Sequence, residues 1–242
     1  MGVKRYVAES DNTITNAFEA NLTTRGTGSN MGAADTLEVF TIHGQTSASV
    51  SAANAEQARV LIQFPVSGTN TAIETIHRDR TNGDIPTSGN VSFYLRMFNA
   101  PHAETLPENF DLDIKKMTAA WSEGTGLDMD EYQDIGFSSW AKRNSTTAWS
   151  AAGAEGNYSN ITSTTFSDGS EDIEVDVTST VEAWLTSPAS NYGFMIRNTN
   201  AQISGTVGSF YTKKFFGRGT EFHFKRPVIE VRWDSSRKDQ RS

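Results

Sequence analysis

The spacing of apolar residues along the chain is mostly that of β-strands. Between residues 172 and 177, isoleucine and valine alternate with acidic residues, and between residues 91 and 97, Val, Phe, Leu and Met occupy every second position. Such alternation places apolar side chains on one face of a strand. Residues 36–43 carry apolar side chains on both faces, as in a strand between two layers, and residues 58–66 form the most apolar strand. Further strands are predicted at residues 4–8, 13–20, 110–117, 209–216, 221–225 and 228–233.

One short helix is predicted after the strand that ends near residue 177. Ser179 and Glu182 have the spacing of a capping box, and Pro188 stops the helix because the residue before a proline avoids helical geometry. The buried face of this helix is expected to contain Val181, Trp184 and Leu185. Many short strands with turn signals between them, together with one short helix and extended termini, predict an all-β protein, a β-sandwich or jelly roll.

Several short motifs occur in a fixed order along the chain. They are Asn30-Met-Gly32, Arg59-Val-Leu-Ile-Gln-Phe64, Val91–Arg96 with Trp121-Ser-Glu123, and Asp176-Val-Thr178 with Trp184 and Asn191-Tyr-Gly193. Together they resemble the DNRLRE family of β-sandwich modules, which are related to some carbohydrate-binding modules. The resemblance implies a sandwich over residues 1–210 with an irregular insert at about 124–169. It also implies no enzymatic activity. Residues 211–242, a basic and Phe-rich segment, are expected to complete the same domain.

The end of the chain carries a second resemblance. Phe215-Phe216, Lys225-Arg226-Pro227 and Arg232-Trp233-Asp234 are similar to the ends of virion structural proteins from marine tailed bacteriophages. This resemblance implies a structural protein on the capsid, neck or tail, made in the host bacterial cytoplasm and located in the virion. Its expected partners are other virion proteins and copies of itself in a symmetric array.

The charge is distributed unevenly along the chain. Residues 211–242 contain nine basic and four acidic residues, a net +5, which leaves −13 for residues 1–210 out of a total of −8. The acidic body argues against nucleic acid as a partner, although the mixture of aromatic and basic residues in 211–226 superficially resembles a single-strand platform. A β-hairpin with buried phenylalanines and outward charges, docking on an acidic neighbour, is the favoured interpretation. The candidate docking residues are Lys213, Lys214, Arg218, Lys225, Arg226, Arg237, Lys238 and Arg241.

Several kinds of chemistry lack their usual signals in this sequence. The chain has no cysteine, so a disulfide framework is excluded. Residues 1–7 contain no apolar run of signal-peptide length, and no later stretch is apolar enough to span a membrane, so no membrane partner is expected. The four histidines show no metal-ligand spacing, and no nucleophile or phosphate-loop motif is present. We therefore predict neither catalysis nor a cofactor.

Aromatic residues in or beside the irregular insert support an alternative function. Trp140, Trp149, Tyr132 and Tyr158 could stack on sugar rings, which would make the chain a carbohydrate-binding module that attaches a particle or an enzyme to a polysaccharide, including a host glycan. The same residues could instead form core or interface contacts, and for the two tryptophans this interpretation is favoured.

A group of carboxylates in the insert is a candidate for cation binding. Asp128, Asp130, Glu131 and Asp134 lie within seven residues, and carboxylates are the ligands that Ca²⁺ prefers. The segment lacks the central glycine and the final glutamate of the helical calcium loop. A solvated acidic turn without metal is therefore the favoured interpretation.

Overall fold

The fold is a pair of antiparallel β-sheets, which confirms the predicted all-β class. The computed structural model describes residues 1–44, 53–67, 75–102, 107–127, 137–205 and 210–236. The strands are β1 (Gly2–Val7), β2 (Ser10–Thr15), β3 (Thr36–Ile42), β4 (Glu56–Gln63), β5 (Val91–Met97), β6 (Phe110–Met117), β7 (Tyr158–Phe166), β8 (Ile173–Asp176), β9 (Phe194–Asn198), β10 (Phe210–Phe216) and β11 (Val228–Trp233). The helices are α1 (Ile76–Asn82), α2 (Thr178–Thr186) and α3 (Asn200–Ile203).

The two sheets differ in size and in the way the chain enters them. The smaller sheet has the strand order β1-β11-β5-β8, and the larger has the order β10-β3-β4-β9-β6-β7, with β2 also pairing along β4. The chain crosses between sheets several times, as at the short connection from β1 to β2. Both sheets therefore contain strands from the beginning and the end of the sequence.

The main hydrophobic core lies between the two sheets. Alternate residues of β5, such as Phe93 and Leu95, meet residues such as Val60 and Ile62 of the larger sheet in this core, and all four are fully buried. Helix α2 adds Trp184, whose ring centroid lies 4.9 Å from that of Phe194. Tilted ring pairs at this distance stabilise the core beyond the area that they bury.

Helix α2 confirms the predicted helix but not its predicted cap. The cap residue is Val177, and no side chain caps the helix. Glu182 instead accepts two hydrogen bonds from Arg80 of α1, at 2.7 and 2.8 Å. Helix α1 was not predicted, because among its residues only Ile76 is apolar. The Thr75 cap and the left-handed Gly83 define its ends. Helix α3 is likewise an addition to the single helix expected.

Residues 140–154 of the predicted irregular insert form a third layer on the outer face of the larger sheet. The insert is less extensive than predicted, because residues 158–166 form the regular strand β7 of that sheet. Leu61 of β4 and Met195 of β9 point away from the main core and are fully buried under this layer. Trp140, Trp149 and Ala154 of the insert cover them, and Trp121 and Tyr158 pack at the edge. Because both faces of the larger sheet are covered, seven of the eight residues of β4 are buried.

The C-terminal strands belong to both sheets. Strand β10 pairs with β3, and β11 lies between β1 and β5. The predicted hairpin of residues 209–216 with 221–225 is wrong, because the chain leaves β10 at Gly217 and crosses to the other sheet. Residues 223–225 form a single turn of 3₁₀-helix before β11. Among the described residues, no helix is long and apolar enough to cross a membrane.

The short motifs found in the sequence hold loops against strands. The side-chain oxygen of Asn30 accepts hydrogen bonds from the backbone N–H groups of Gly32 and Gly126, which joins the loop before β3 to the insert. Asn191 donates to the Phe64 carbonyl at 2.9 Å and accepts from Gly193. A Cβ at Gly193 would lie 2.1 Å from the Ile62 carbonyl oxygen, and its φ is +77°. These motifs therefore have a structural role, because they hold loops against strands where the two backbones come close together.

Replacing Gly193 with alanine should destabilise the fold more than a glycine change in open space. Gly89 has a similar φ of +86°, but no atom lies within 4 Å of the position that a Cβ would take there. Gly89→Ala therefore measures the left-handed backbone cost alone, about 1–2 kcal/mol. Gly193→Ala adds the clash with β4, and we expect about 1–3 kcal/mol more. Urea unfolding of both variants tests this, and equal losses of unfolding free energy would contradict the close approach.

Candidate docking surface

Lys213, a predicted docking residue, is buried inside the protein. Its ammonium group donates hydrogen bonds to the Asn99 side chain at 2.7 Å and to the carbonyls of Gly169 and Glu171 at 2.8 and 2.9 Å. Only 1% of the residue is exposed, and burial lowers the pKa of Lys213 to about 8. The expectation that Lys213 contacts a partner is therefore corrected: its three donors are used to join β10 to the loop before β8.

Lys214 and Arg218 are also engaged within the chain. Lys214 forms an ion pair with Glu38 of the neighbouring strand at 2.7 Å. The Arg218 side chain donates to Glu123 at 2.6 Å, and its backbone N–H donates to the Asp11 carboxylate. Burial raises the pKa of Asp11 to about 6, although the Arg218 hydrogen bond and charge oppose the shift. These basic residues thus neutralise acidic groups of the protein's own body.

The longest exposed run in the described part of the C-terminal segment is five residues long. Residues 221–225, which we term the aromatic loop, are all exposed. Phe222 is 55% and Phe224 82% exposed, and Lys225 lies beside them. Arg226 is half-buried and donates to the Thr220 carbonyl at 3.1 Å. The candidate docking residues Arg237, Lys238 and Arg241 lie outside the described residues.

The aromatic loop is anchored at both ends. On one side, Gly217 donates its N–H to the Asp35 carbonyl at 2.7 Å, and the Phe222 ring packs edge-on against Phe216 with centroids 5.5 Å apart. On the other side, the Lys225 ammonium lies 5.3 Å from the Phe98 ring centroid, and the chain then enters β11. The Phe222 ring is therefore held against Phe216 while part of it faces solvent. Phe224 makes its only described ring contact with His223, 5.8 Å away.

An anchored, exposed aromatic pair is suited to binding another protein. Large apolar side chains in water are unfavourable, and aromatic anchors that enter a partner's pocket contribute much of the energy of many interfaces. The sequence did not reveal this feature, because the alternation of phenylalanine in 221–225 predicts a buried strand. The length of the segment gives no contrary signal, because β9 also has five residues.

The aromatic residues of the insert do not form an open surface in the described structure. Trp140 and Trp149 are 7% and 5% exposed, and Trp149 donates its indole N–H to the Ser139 carbonyl at 2.8 Å. Tyr158 is half-buried, and its hydroxyl accepts a hydrogen bond from Arg197 at 2.7 Å. The burial of the tryptophans fits the core interpretation. Tyr132 lies outside the described residues.

A buried charge cluster underlies these aromatic residues. The guanidinium groups of Arg59 and Arg197 both contact Glu155, at 2.8 and 2.6 Å. Burial, together with the neighbouring Arg197, lowers the pKa of Arg59 to about 10. Burial opposes ionisation of Glu155, but the two arginines and the Tyr158 hydroxyl hold its pKa below the usual value. The cluster attaches the insert to β4 and β9.

No metal centre emerges from the part of the chain that the structure describes. No group of three or more His, Cys, Asp or Glu residues there could hold an ion. The acidic candidates Asp128, Asp130, Glu131 and Asp134 lie outside the described residues, so cation binding by them stays a hypothesis from the sequence.

Comparisons with known proteins add no family assignment. No protein-family model matches the chain, and no curated protein matches it significantly. The class that the fold and surface define is a two-sheet β protein with a covered outer face and an anchored aromatic loop.

The buried Asp11 carboxylate, which accepts a hydrogen bond from the Arg218 backbone, should make stability depend on pH in a defined direction. The folded pKa of Asp11, about 6, lies above the unfolded value of 3.8. Its contribution to stability is therefore present below pH 4 and is lost as the pH rises through 6. Relative to Asp11→Asn, wild-type unfolding free energy should fall by up to about 3 kcal/mol across this window. Urea unfolding at several pH values measures the difference, and parallel profiles would show that Asp11 does not titrate as stated.

Proposed function

We propose that this chain is a non-enzymatic structural protein of a tailed-bacteriophage virion, docked on a neighbouring virion protein through the aromatic loop. The observation that carries the docking role is the exposure of Phe222 and Phe224 on a segment anchored at both ends. The virion setting is supported by the resemblance of the chain's end to phage structural proteins. The two-sheet body then acts as a rigid module held outside the capsid, neck or tail.

The chemistry of the aromatic loop defines the partner surface that it fits. Phe222 and Phe224 require apolar pockets, because their exposed rings gain most from leaving water. Lys225 is exposed beside them, and Arg226 is half-buried at the base of the loop. A partner with an apolar pocket and acidic residues at its rim matches both features, and the acidic rim would favour encounter at low salt.

Removing the two aromatic rings should abolish docking without unfolding the protein. Because Phe224 is 82% exposed, Phe224→Ser should change the unfolding free energy by no more than about 0.5 kcal/mol. Phe222→Ser also removes the ring contact with Phe216 and should cost about 1 kcal/mol, too little to unfold the protein. If the two rings are anchors, each change should cost about 2 kcal/mol of binding, roughly a thirtyfold loss of affinity. The readout is the fraction of each variant that sediments with particles assembled in its presence.

A matched change at another exposed apolar residue controls for general surface effects. Leu22 is 45% exposed and lies in the loop between β2 and β3. Leu22→Ser should sediment with particles like the wild type. If the phenylalanine variants also remain bound, or if Leu22→Ser is lost equally, the aromatic loop is not the docking surface.

The virion setting has its own test, which is independent of the loop. Quantitative mass spectrometry of purified particles should detect this chain in a fixed ratio to the major shell protein. Hundreds of copies per particle would indicate a capsid position, and a small multiple of about six a neck or tail position, because symmetry sets copy number. Absence of the chain from the particles would overturn the virion proposal, whatever the loop variants show.

A further inference from the structure

The edges of the two sheets are protected unequally. Strand β8 is only four residues long and carries Glu174 and Asp176, and β1 carries Lys4 and Arg5. Charges and short length are common ways of preventing a sheet edge from pairing with another chain. The edge of β10 is covered instead, because Phe216 donates to the Phe98 carbonyl and Ala100 donates to the Lys214 carbonyl.

Strand β7 has neither kind of protection. It is the longest strand at nine residues, and it contains no charged residue and no proline. It pairs with β6 on one side, and within the described ranges no strand pairs with its other side. Most of its side chains, including Ser159, Thr162 and Ser163, are exposed. Such an edge is open to pairing with a strand from another molecule.

The charged residues nearest to β7 lie on its neighbour β6. On β6, Lys115 and Asp113 pair with each other at 2.9 Å. Asp111 accepts a hydrogen bond from Thr165 at 2.6 Å. A polar groove of about 310 Å³ opens beside Ser159 and Asn160, lined also by Lys116 and by residues of α2. The edge therefore presents hydroxyl and amide groups with space beside them.

We infer that β7 pairs with β7 of a second copy, antiparallel and centred near Thr162, which joins the two larger sheets into one. In such a twofold pair each residue meets residues of its own strand, so a charged edge would place like charges opposite each other. An uncharged strand rich in threonine and serine avoids that repulsion, and cross-strand Thr and Ser pairs are favourable. A different partner protein would instead be expected to match some charge pattern, and β7 has none.

A bulge lies one residue from the proposed centre. The β6–β7 register shifts between Ile114 and Lys115, beside Ile161. A bulge of this kind increases the local twist. In a twofold pair centred on Thr162, Ile161 would face Ser163 of the second copy, so the bulge would occur symmetrically on both sides of the centre. This inference uses no residue of the aromatic loop and does not rest on the proposed docking.

Complementary charges introduced at Thr162 test the pair directly. Thr162 is exposed, so Thr162→Lys and Thr162→Glu should both remain folded, as circular dichroism and thermal unfolding will show. Sedimentation equilibrium of the full chain over a wide range of concentrations should show a monomer–dimer equilibrium for the wild type. Each variant alone should associate at least about tenfold more weakly than the wild type, because like charges face each other. An equimolar mixture of the two variants should recover dimers.

The control is Thr81→Lys, the same change at an exposed position on α1. It should dimerise like the wild type. A wild type that stays monomeric at its highest soluble concentration overturns the inference. So does a dimer that Thr162→Lys leaves unchanged, or a mixture of the two variants that is no more dimeric than either alone.

Discussion

The burial of β4 on both faces is the constraint on which the rest of the structure depends. This strand has neighbours along its edges, the main core on one face and the insert on the other, so its charged residues have no access to water. A buried guanidinium without a partner would cost several kcal/mol. Arg59 finds its partner in Glu155 of the insert. The insert therefore completes the environment that β4 requires, and it is as much a part of the core as the strands.

The same requirement determines what the basic C-terminal segment can offer to other molecules. Lys213 reaches β10's buried face and is satisfied by three oxygens, and Arg218 joins Asp11 to Glu123. Charges that are paired in this way bind the C-terminal segment to the body of the protein and are not available to a partner. Among the described residues of this segment, the large apolar side chains that remain exposed are those of Phe222 and Phe224. An apolar contact on a rigid base depends less on salt than a contact made by a basic patch.

The two-residue period of apolar side chains located the strands well, because this period follows from the backbone geometry of a strand. The alternation in residues 91–97 and 173–176 matches the buried and exposed faces of β5 and β8. It could not show which layer covers a face. Lys213 was expected at the surface because it is charged, but it shares a face of β10 with the buried Phe215 and lies under the loop before β8. Nor could it place Trp140 and Trp149, because an irregular segment has no period, and their burial depends on contacts far apart in sequence.

The fold presents two surfaces of different physical character. The aromatic loop would select a partner by the shape of the pocket that receives its side chains. Strand β7 would pair through its backbone groups, and the absence of charged side chains on β7 would determine which strand edge it accepts. Edge pairing of a single strand is weak by itself. Two copies joined through β7 would present two aromatic loops, and linked sites bind an array more tightly than single ones without any new contact. A weak twofold contact is therefore most effective where the partner is itself repeated.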